Sequence, residues 1–449
     1  MAKQIVLDDS HIPTQWYNAV PDIPGGLEPP LDPATGKPLS PKALSALFPE
    51  PLIEQEVSPQ RFIDIPDEVR QLLAIWRPTP LVRADRLEKA VGAKARIYFK
   101  NESLSPPGSH KGNTAVAQAY ANRQAGVKRL TTETGGGQWG SAISMAAKFM
   151  GLECRVYMVR SSYGQKPFRK SVMQLFGAEV VPSPSPSTAT GSAILKEDPG
   201  CPGSLGIAIS EAVEDALASP GTKYTLGSVL NHVLLHQTVI GLEAKEQLKK
   251  AGEKLPDIVI ACCGGGSNFS GIALPFLPER LAGKAIRLVG VEPSACPTLT
   301  RGHYAYDYGD TAQLTPLVKM HTLGAHFVPN DIHAGGLRYH GMAPIVSALV
   351  RDGLVEPRAF PQTRCFQAAA LFAQTEGIIP APESAHAIAT AVDEAVNPEN
   401  EGKVVLFNLS GHGLLDMYAY DRYTANEIKD LSFDEKALRA AEALLPKVE

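Results

Sequence analysis

The sequence predicts an α/β protein of two doubly wound, mostly parallel-sheet domains with a ligand cleft between them. Three observations carry that prediction. Short β-rich runs alternate with helical runs from about residue 77 onward, two of the β runs end in three consecutive glycines, and a polar, proline-rich connection separates two stretches of the same grammar. Alternation of this kind sets strands side by side in parallel with helices on both faces, and such sheets bind ligands at the carboxyl ends of their strands. With 449 residues, 44% of them hydrophobic, the chain has apolar material for two to three domains.

Residues 1–76 are rich in proline and carry two short helical runs, "PKALSALF" and "DEVRQLLAIW". They read as an extension packed over a larger body or as a partner surface. The first α/β domain spans 77–229. Within it "RIYFK" reads as a strand, 112–124 as a helix, "RLTTET" as a strand and 138–150 as a helix closed by Gly151. "CRVYMV" follows as a strand, 165–176 as a helix closed by Gly177, and "AEVVP" as a strand. β-branched and aromatic runs justify the strands, and glycine after a helical run justifies each stop. Residues 182–203, "PSPSPSTATGSAILKEDPGCPG", suit a mobile or surface connection rather than a core. The grammar resumes with the strand "KYTL" and, in the second domain at 230–449, with a long helix over 230–251 and the strands "DIVIACC", "RLVGVEP" and "KVVLFNL".

Charge and cysteine content narrow the function. The net charge is −4 with no basic tract, which argues against nucleic acid or an anionic membrane as partner and in favour of a small-molecule substrate. Six scattered cysteines, with no Cys-x-x-Cys spacing, read as reduced residues of a cytoplasmic protein, and no metal site is expected. The N-terminus lacks a basic start followed by an apolar core, and no run reaches the ~18 apolar residues of a membrane span.

Chemistry concentrates in a few motifs. In "DIVIACCGGGSNFSGIALPF" an apolar strand ends in Gly264, Gly265 and Gly266, followed by Ser267, Asn268 and a helix. Glycine backbone amides approach a phosphate closely, and a helix N-terminus adds donors and a favourable dipole. The motif is neither a Walker A loop, lacking Gly-Lys-Ser/Thr, nor a dinucleotide fingerprint, because Phe269 stands where a small residue is needed. A tight turn alone requires one or two glycines, not three. "TETGGGQWG" repeats the arrangement with Glu133 leaving a strand. This loop either binds a substrate carboxylate beside a proton-transferring acid or merely uses Thr134 or Glu133 as a helix cap.

"SLSPPGSHKGN" sets Lys111 at the first turn of a helix, where a cation meets the positive end of the helix dipole. A desolvated lysine near other cationic dipoles exposes a nucleophilic amine able to form a Schiff base. A phosphate cup elsewhere in the chain then points to an aldehyde that carries a phosphate, and pyridoxal phosphate fits. "NLSGHG" places Ser410 directly after a buried strand, while "TEGIIPAPESAH" carries Glu376 and Glu383, the second read as a helix cap. Cys262 and Cys263 read as core or turn residues.

Taken in order, "GSHKGN", "TETGGGQWG", "CGGGSN", "EGIIPAPESAH" and "NLSGHG" resemble the fold-type II pyridoxal-phosphate enzymes and, within them, the tryptophan synthase β-subunit family, over residues 77–420. The long N-terminal extension resembles that family's second, stand-alone branch. The resemblance implies a lyase that condenses indole with L-serine to L-tryptophan and water, working as a homodimer, with association to an α-subunit doubtful. It implies Lys111 as the Schiff-base lysine and proton shuttle, and Glu133 as the acid that assists loss of the β-substituent and then orients indole. It assigns the cofactor His110, Asn113, Gln138, Gly227, Ser228, Gly264 to Asn268, Glu376 and Ser410, the last on the pyridine nitrogen. It assigns the substrate Thr134, Gly135, Gly136, Gly137, Gln138 and Trp139, and makes 126–227 a mobile lid. A monovalent cation near Gly264 and "GGLRYHG" is left open.

Three departures from the main branch of that family stand out: Trp139 stands for a histidine, Leu414 and Leu415 for charged residues, and Arg338 for an aspartate that closes over serine. The reversed charge at Arg338 raises O-phosphoserine as an alternative donor, since arginine binds phosphate bidentately, with Arg155, Lys166, Arg169 and Lys170 as further cations. Arg338 paired with a lid carboxylate is the other outcome. Other fold-type II activities (threonine synthase, cysteine synthase or serine dehydratase) and a non-catalytic binding protein of the same fold are the remaining alternatives. "ETGGGQWG" differs from the serine- and asparagine-rich loops of the former.

Overall fold

The computed structural model describes residues 3–448. Two sheets organise it. The smaller has four parallel strands in the order Glu179–Ser183, Glu153–Val159, Arg129–Thr134, Thr222–Thr225. The larger has seven, in the order Gln4–Ile5, Leu81–Arg83, Arg96–Asn101, Val404–Leu409, Ile258–Cys262, Arg287–Pro293, Val355–Phe360. Its last five strands run parallel, and the two short ones at the other edge are antiparallel. Both central strands of the larger sheet, Ile258–Cys262 and Val404–Leu409, are buried along their whole length, as a sheet covered by helices on two faces requires. On one face Phe99 stacks on Phe407 at 5.6 Å and meets Phe372 edge-on at 5.2 Å.

Sheet membership cuts across the boundaries expected at 77 and 230. Strands Leu81–Arg83 and Arg96–Asn101 lie in the larger sheet with the C-terminal strands, and Gln4–Ile5 of the extension pairs onto the same edge. The reason is the pairing of Arg96–Asn101 with Val404–Leu409, a contact more than 300 residues apart in sequence that no local pattern encodes. A fully buried ion network secures the junction: Arg77 bonds Glu102 and Glu243, and Lys100 bonds Glu243 at 2.7 Å.

Residues 182–203 are largely exposed, as expected of a surface connection, and they contain the helix Ala189–Glu197, anchored where Glu211 accepts from Ser185 N and Thr188 Oγ1 at 2.8 and 2.7 Å. One local expectation needs correction. The helix expected over 230–251 divides into Asn231–Gln237 and Val239–Lys250. Thr238 sits at the break, where its hydroxyl bonds back to Leu235 O and accepts the Tyr17 N–H from the extension.

Candidate active site

Three adjacent strands of the larger sheet deliver the reactive groups at their carboxyl ends. Arg96–Asn101 leads through a short loop to Lys111, Val404–Leu409 ends at Ser410, and Ile258–Cys262 ends at the three glycines. The smaller sheet faces them with Glu133 and Thr134 at the end of one strand and with Gly227 and Ser228 just after another. A single cavity results, lined by all of these and by Gly135, Gly136, Gln138 and Trp139. This is the crevice that open parallel sheets use for ligands.

Lys111 is the N-cap of the helix Gly112–Gln124. Its Nζ donates to Ser267 Oγ at 2.8 Å and to the Gly227 carbonyl. Burial pushes its amine down to about 8, so about a tenth of it is neutral and nucleophilic at pH 7. The ring nitrogens of His110 lie 3.3 Å from Ser410 O and from Ser267 Oγ, and burial together with Lys111 drives this imidazole down to about 3, keeping it neutral. Glu133 accepts from the Tyr224 hydroxyl at 2.6 Å, and burial raises its carboxyl to about 7. An acid poised there exchanges a proton in either direction at physiological pH. The Ser410 and Ser384 hydroxyls share a bond of 2.7 Å.

The glycines are dictated by close approach. A Cβ on Gly264 would stand 2.3 Å from Gly336 O, and one on Gly265 2.3 Å from Ser228 Oγ. Gly266 has φ +103°, which only glycine adopts without strain, and it starts the helix Ser267–Ala273. Asn268 ties the turn down, donating to Cys262 O at 3.1 Å and accepting from Asn408 at 2.6 Å. The Ser228 hydroxyl is buried beside this cup with no hydrogen-bond partner. An unpaired buried hydroxyl facing free glycine amides fits a phosphate, and a buried lysine amine next to it fits an aldehyde. The donor set therefore suits pyridoxal phosphate.

The other loop is built alike. Thr134 Oγ1 accepts from Gly137 N and Gly140 N, both at 3.2 Å, so it caps the helix Gln138–Phe149 while lining the cavity. Trp139 bonds Thr132 Oγ1 at 2.6 Å, and its ring fills the space beside Gly227, where a Cβ would come within 2.6 Å.

The protein-family model described as pyridoxal-phosphate dependent enzyme matches residues 72–411. The tryptophan synthase beta chain 2 of Thermotoga maritima is 62% identical over 416 residues, covering 92% of this chain and 98% of its own. That of Methanosarcina mazei is 59% identical over 429 residues, covering 95% and 97%, and that of Pyrococcus furiosus 55% over 448, covering 99% and 100%. This chain belongs to the tryptophan synthase β-chain family of pyridoxal-phosphate-dependent enzymes. Its fold is also that of a Thermus thermophilus threonine deaminase, with a TM-score of 0.55 at 20% identity over 77% of this chain and 96% of the deaminase. A Rhizomucor miehei L-serine ammonia-lyase is similar, with a TM-score of 0.56 at 18% identity, covering 76% and 97%.

Within this tryptophan synthase β-chain fold, four expected residues lie outside the cavity. Asn113 is buried with its amide saturated: it accepts from Arg77 and donates to Glu102 and Gln237, leaving nothing for a cofactor. Glu376 faces the opposite direction, accepting from Leu87 N at 2.9 Å and pairing with Lys3 at 3.0 Å, where it caps the helix Asp85–Val91. Gly137 packs behind the loop against the Arg169 side chain. Arg338 pairs with Asp331 at 2.9 Å and donates to Pro329 O, so its partner is a carboxylate of this chain. None of the other four cations lines the cavity. Arg155 pairs with Glu179, Lys166 and Arg169 both meet Asp416, and Lys170 lies over the Tyr163 ring.

Glu383, read as a cap, lines the cavity instead of Glu376, and its Oε1 accepts from Gly336 N at 2.9 Å. Cys262, Leu205 and Gly336 line it too, and Tyr224 stands behind Glu133. Of these, Cys262, adjoining the glycine cup, and Gly336, in the "GGLRYHG" segment, carried a sequence signal. Among the described residues no helix is long and apolar enough to cross a membrane.

Proposed function

We propose that this chain joins indole to the β-carbon of L-serine, releasing water and L-tryptophan, with Lys111 and Glu133 as the proton-carrying groups. The observation that carries the reading is the meeting of Lys111, Glu133, both glycine loops and Ser410 in one cavity. The β-chain name shared by relatives at 55–62% identity along nearly the whole chain supports it.

Lys111 Nζ, Gly264 to Asn268, Ser228, His110 and Ser410 would hold pyridoxal phosphate. When bound, the cofactor supplies an electron sink that acidifies the substrate α-carbon and lets the β-hydroxyl depart. The amides of Gly135 and Gly136, with Thr134 and Gln138, orient the amino-acid carboxylate over the N-terminus of the helix Gln138–Phe149. Lys111 takes the α-proton and later returns it. Glu133 gives its proton to the departing hydroxyl, which leaves as water, then receives the indole N–H as a hydrogen bond and the C3 proton as the new C–C bond forms. A carboxyl near 7 serves both tasks. Ser410, as a neutral hydroxyl partner, would hold the ring nitrogen without forcing its protonation.

Serine rather than O-phosphoserine is the donor, because Arg338 is already neutralised by Asp331. The unit built on the smaller sheet, 126–227, acts as the lid. The six free cysteines support a cytoplasmic protein, and the resemblance to the stand-alone branch supports a homodimer without α-subunit; light scattering with and without an α-subunit tests it. The activity is tested by supplying purified protein with cofactor, L-serine and indole and measuring tryptophan. No product with either serine or O-phosphoserine would refute it.

A further inference from the structure

Ser410 lines the cofactor cavity just past the strand Val404–Leu409, and its hydroxyl has two polar neighbours among the described residues, Ser384 Oγ at 2.7 Å and Cys262 Sγ at 3.8 Å. Ser384 is the first residue of the helix Ser384–Val396. It is fully buried and stands behind Ser410 rather than in the cavity wall, so it reaches a ligand only through Ser410.

A serine hydroxyl carries one hydrogen, and its neighbours decide where that hydrogen points. The Ser384 oxygen accepts the Gly411 N–H at 3.2 Å. Its own hydrogen has two acceptors within reach: Ser410 Oγ at 2.7 Å, and the Gly411 carbonyl at 3.3 Å, which already takes the Ala381 N–H at 2.9 Å. The shorter bond to the less occupied acceptor is the stronger one. When Ser384 donates in this way, the Ser410 hydrogen is turned off that side. Cys262 Sγ competes for it weakly, because it is distant and a poor acceptor that already takes the Asn268 amide at 3.2 Å. The cavity is left as its direction. In the reverse arrangement Ser410 would donate to Ser384 and present a lone pair to the cavity, and the Ser384 hydrogen would fall to the longer, shared contact.

We propose that Ser384 is a positioning residue that fixes Ser410 as a hydrogen-bond donor toward the cavity, so that a pyridine nitrogen held there accepts the bond and stays unprotonated. The inference rests on the reading that Ser410 meets the ring nitrogen of pyridoxal phosphate, and it assigns the direction of that bond to a residue outside the cavity. An accepting nitrogen carries no positive charge, which keeps the ring a milder electron sink than its protonated form.

The test is nitrogen magnetic resonance of the full chain loaded with cofactor isotopically labelled at the ring nitrogen, recorded without substrate from mildly alkaline to mildly acidic buffer. Wild-type protein is expected to keep the signal at the unprotonated position throughout. In Ser384→Ala the Ser410 hydroxyl turns freely, and the signal is expected to move toward the protonated position as the buffer is acidified. Ser384→Thr, which restores the hydroxyl, is expected to hold it in place. In the same alanine variant kcat for tryptophan formation is expected to fall about three- to tenfold with both KM values within about twofold. Ser384→Cys keeps the volume but offers only a weak donor; its signal is expected to lie between, and it supplies the answer if the alanine variant does not fold. A wild-type nitrogen that protonates over this range, alanine and cysteine variants with the wild-type signal, or an equal movement in the threonine and alanine variants would overturn the inference. Wild-type protein that binds cofactor but makes no tryptophan refutes the proposed reaction and leaves the nitrogen signal to decide this inference, whereas wild-type protein that binds no cofactor overturns both.

Discussion

The two glycine loops, 135–137 and 264–266, share one sequence grammar and one local geometry. Each follows a buried parallel strand, each ends in a glycine of positive φ (+94° and +103°), and each opens a helix whose first residues are buried. They differ in what stands around them. Glu133, an acid raised by burial to about 7, precedes the first loop, whose last glycine packs on the charged Arg169. The second is preceded by Cys262 and backed by Ala343, Met342 and Val346, and the Lys111 amine and Ser228 hydroxyl reach it from the front. Between them lies the segment Gly335–Gly336, a Cβ's breadth from both. Two similar backbones would thus take the different roles proposed above from their neighbours: proton transfer at one, cofactor anchoring at the other.

That contrast is broken most severely at Lys111. Lys111→Ala is expected to abolish the cofactor's protein-bound absorption band and to lower tryptophan formation by on the order of 10⁴-fold or more; absorption spectra and product assay check it. At the other loop, Glu133→Gln is expected to lower kcat by about 10²–10³-fold while the absorption band persists, which separates proton transfer from anchoring.

Alanine at matched glycines sharpens the distinction. Gly265→Ala pushes a methyl against Ser228 Oγ, so cofactor Kd is expected to rise about 10- to 100-fold with serine KM little changed. Gly135→Ala pushes against the Gly335 carbonyl and is expected to do the reverse, raising serine KM by a similar factor. Cofactor titration by fluorescence, paired with serine kinetics, decides whether the loops divide the work in this way.

Smaller effects concern the groups behind the loops. The Tyr224 hydroxyl stabilises the Glu133 carboxylate and so holds its pKa down; without it the pKa rises above about 7, and at a given pH less carboxylate is present. Tyr224→Phe is therefore expected to move the acid limb of the kcat/KM profile for indole to higher pH, with less than about a tenfold loss at the optimum. Arg338→Ala, which removes a group already paired with Asp331, is expected to leave the preference for serine over O-phosphoserine unchanged, as a comparison of the two specificity constants reads directly.

Much of the fold was legible because its signals are local. The helix at 112–124 and the strands ending at Thr134 and Cys262 follow from patterns of apolar and small residues within a dozen positions. Three consecutive glycines after a strand are a local necessity of close backbone approach, so both loops, and Lys111 at its helix start, could be found from residues alone. The misplacements share a cause. Glu376 and Glu383 are seven residues apart in one motif, and only the packing of the helix Gln362–Glu376 onto the helix Asp85–Val91 decides that the first turns away and the second enters the cavity. Asn113 sits only two residues from Lys111, yet the roughly 200° of helix rotation between them aims it into the ion network of Arg77 and Glu102.

By itself, then, the sequence determined the α/β class, the two glycine loops and the lysine at its helix start, since each depends on backbone conformation or residue chemistry within a short span. Tertiary structure decided the rest: which sheet received Arg96–Asn101, which acid faced the cavity, whether Arg338 was free, and that Tyr224 held Glu133. Those outcomes depend on burial and on partners far away in the chain, and burial is what brings Lys111 and Glu133 toward neutrality in the same cavity.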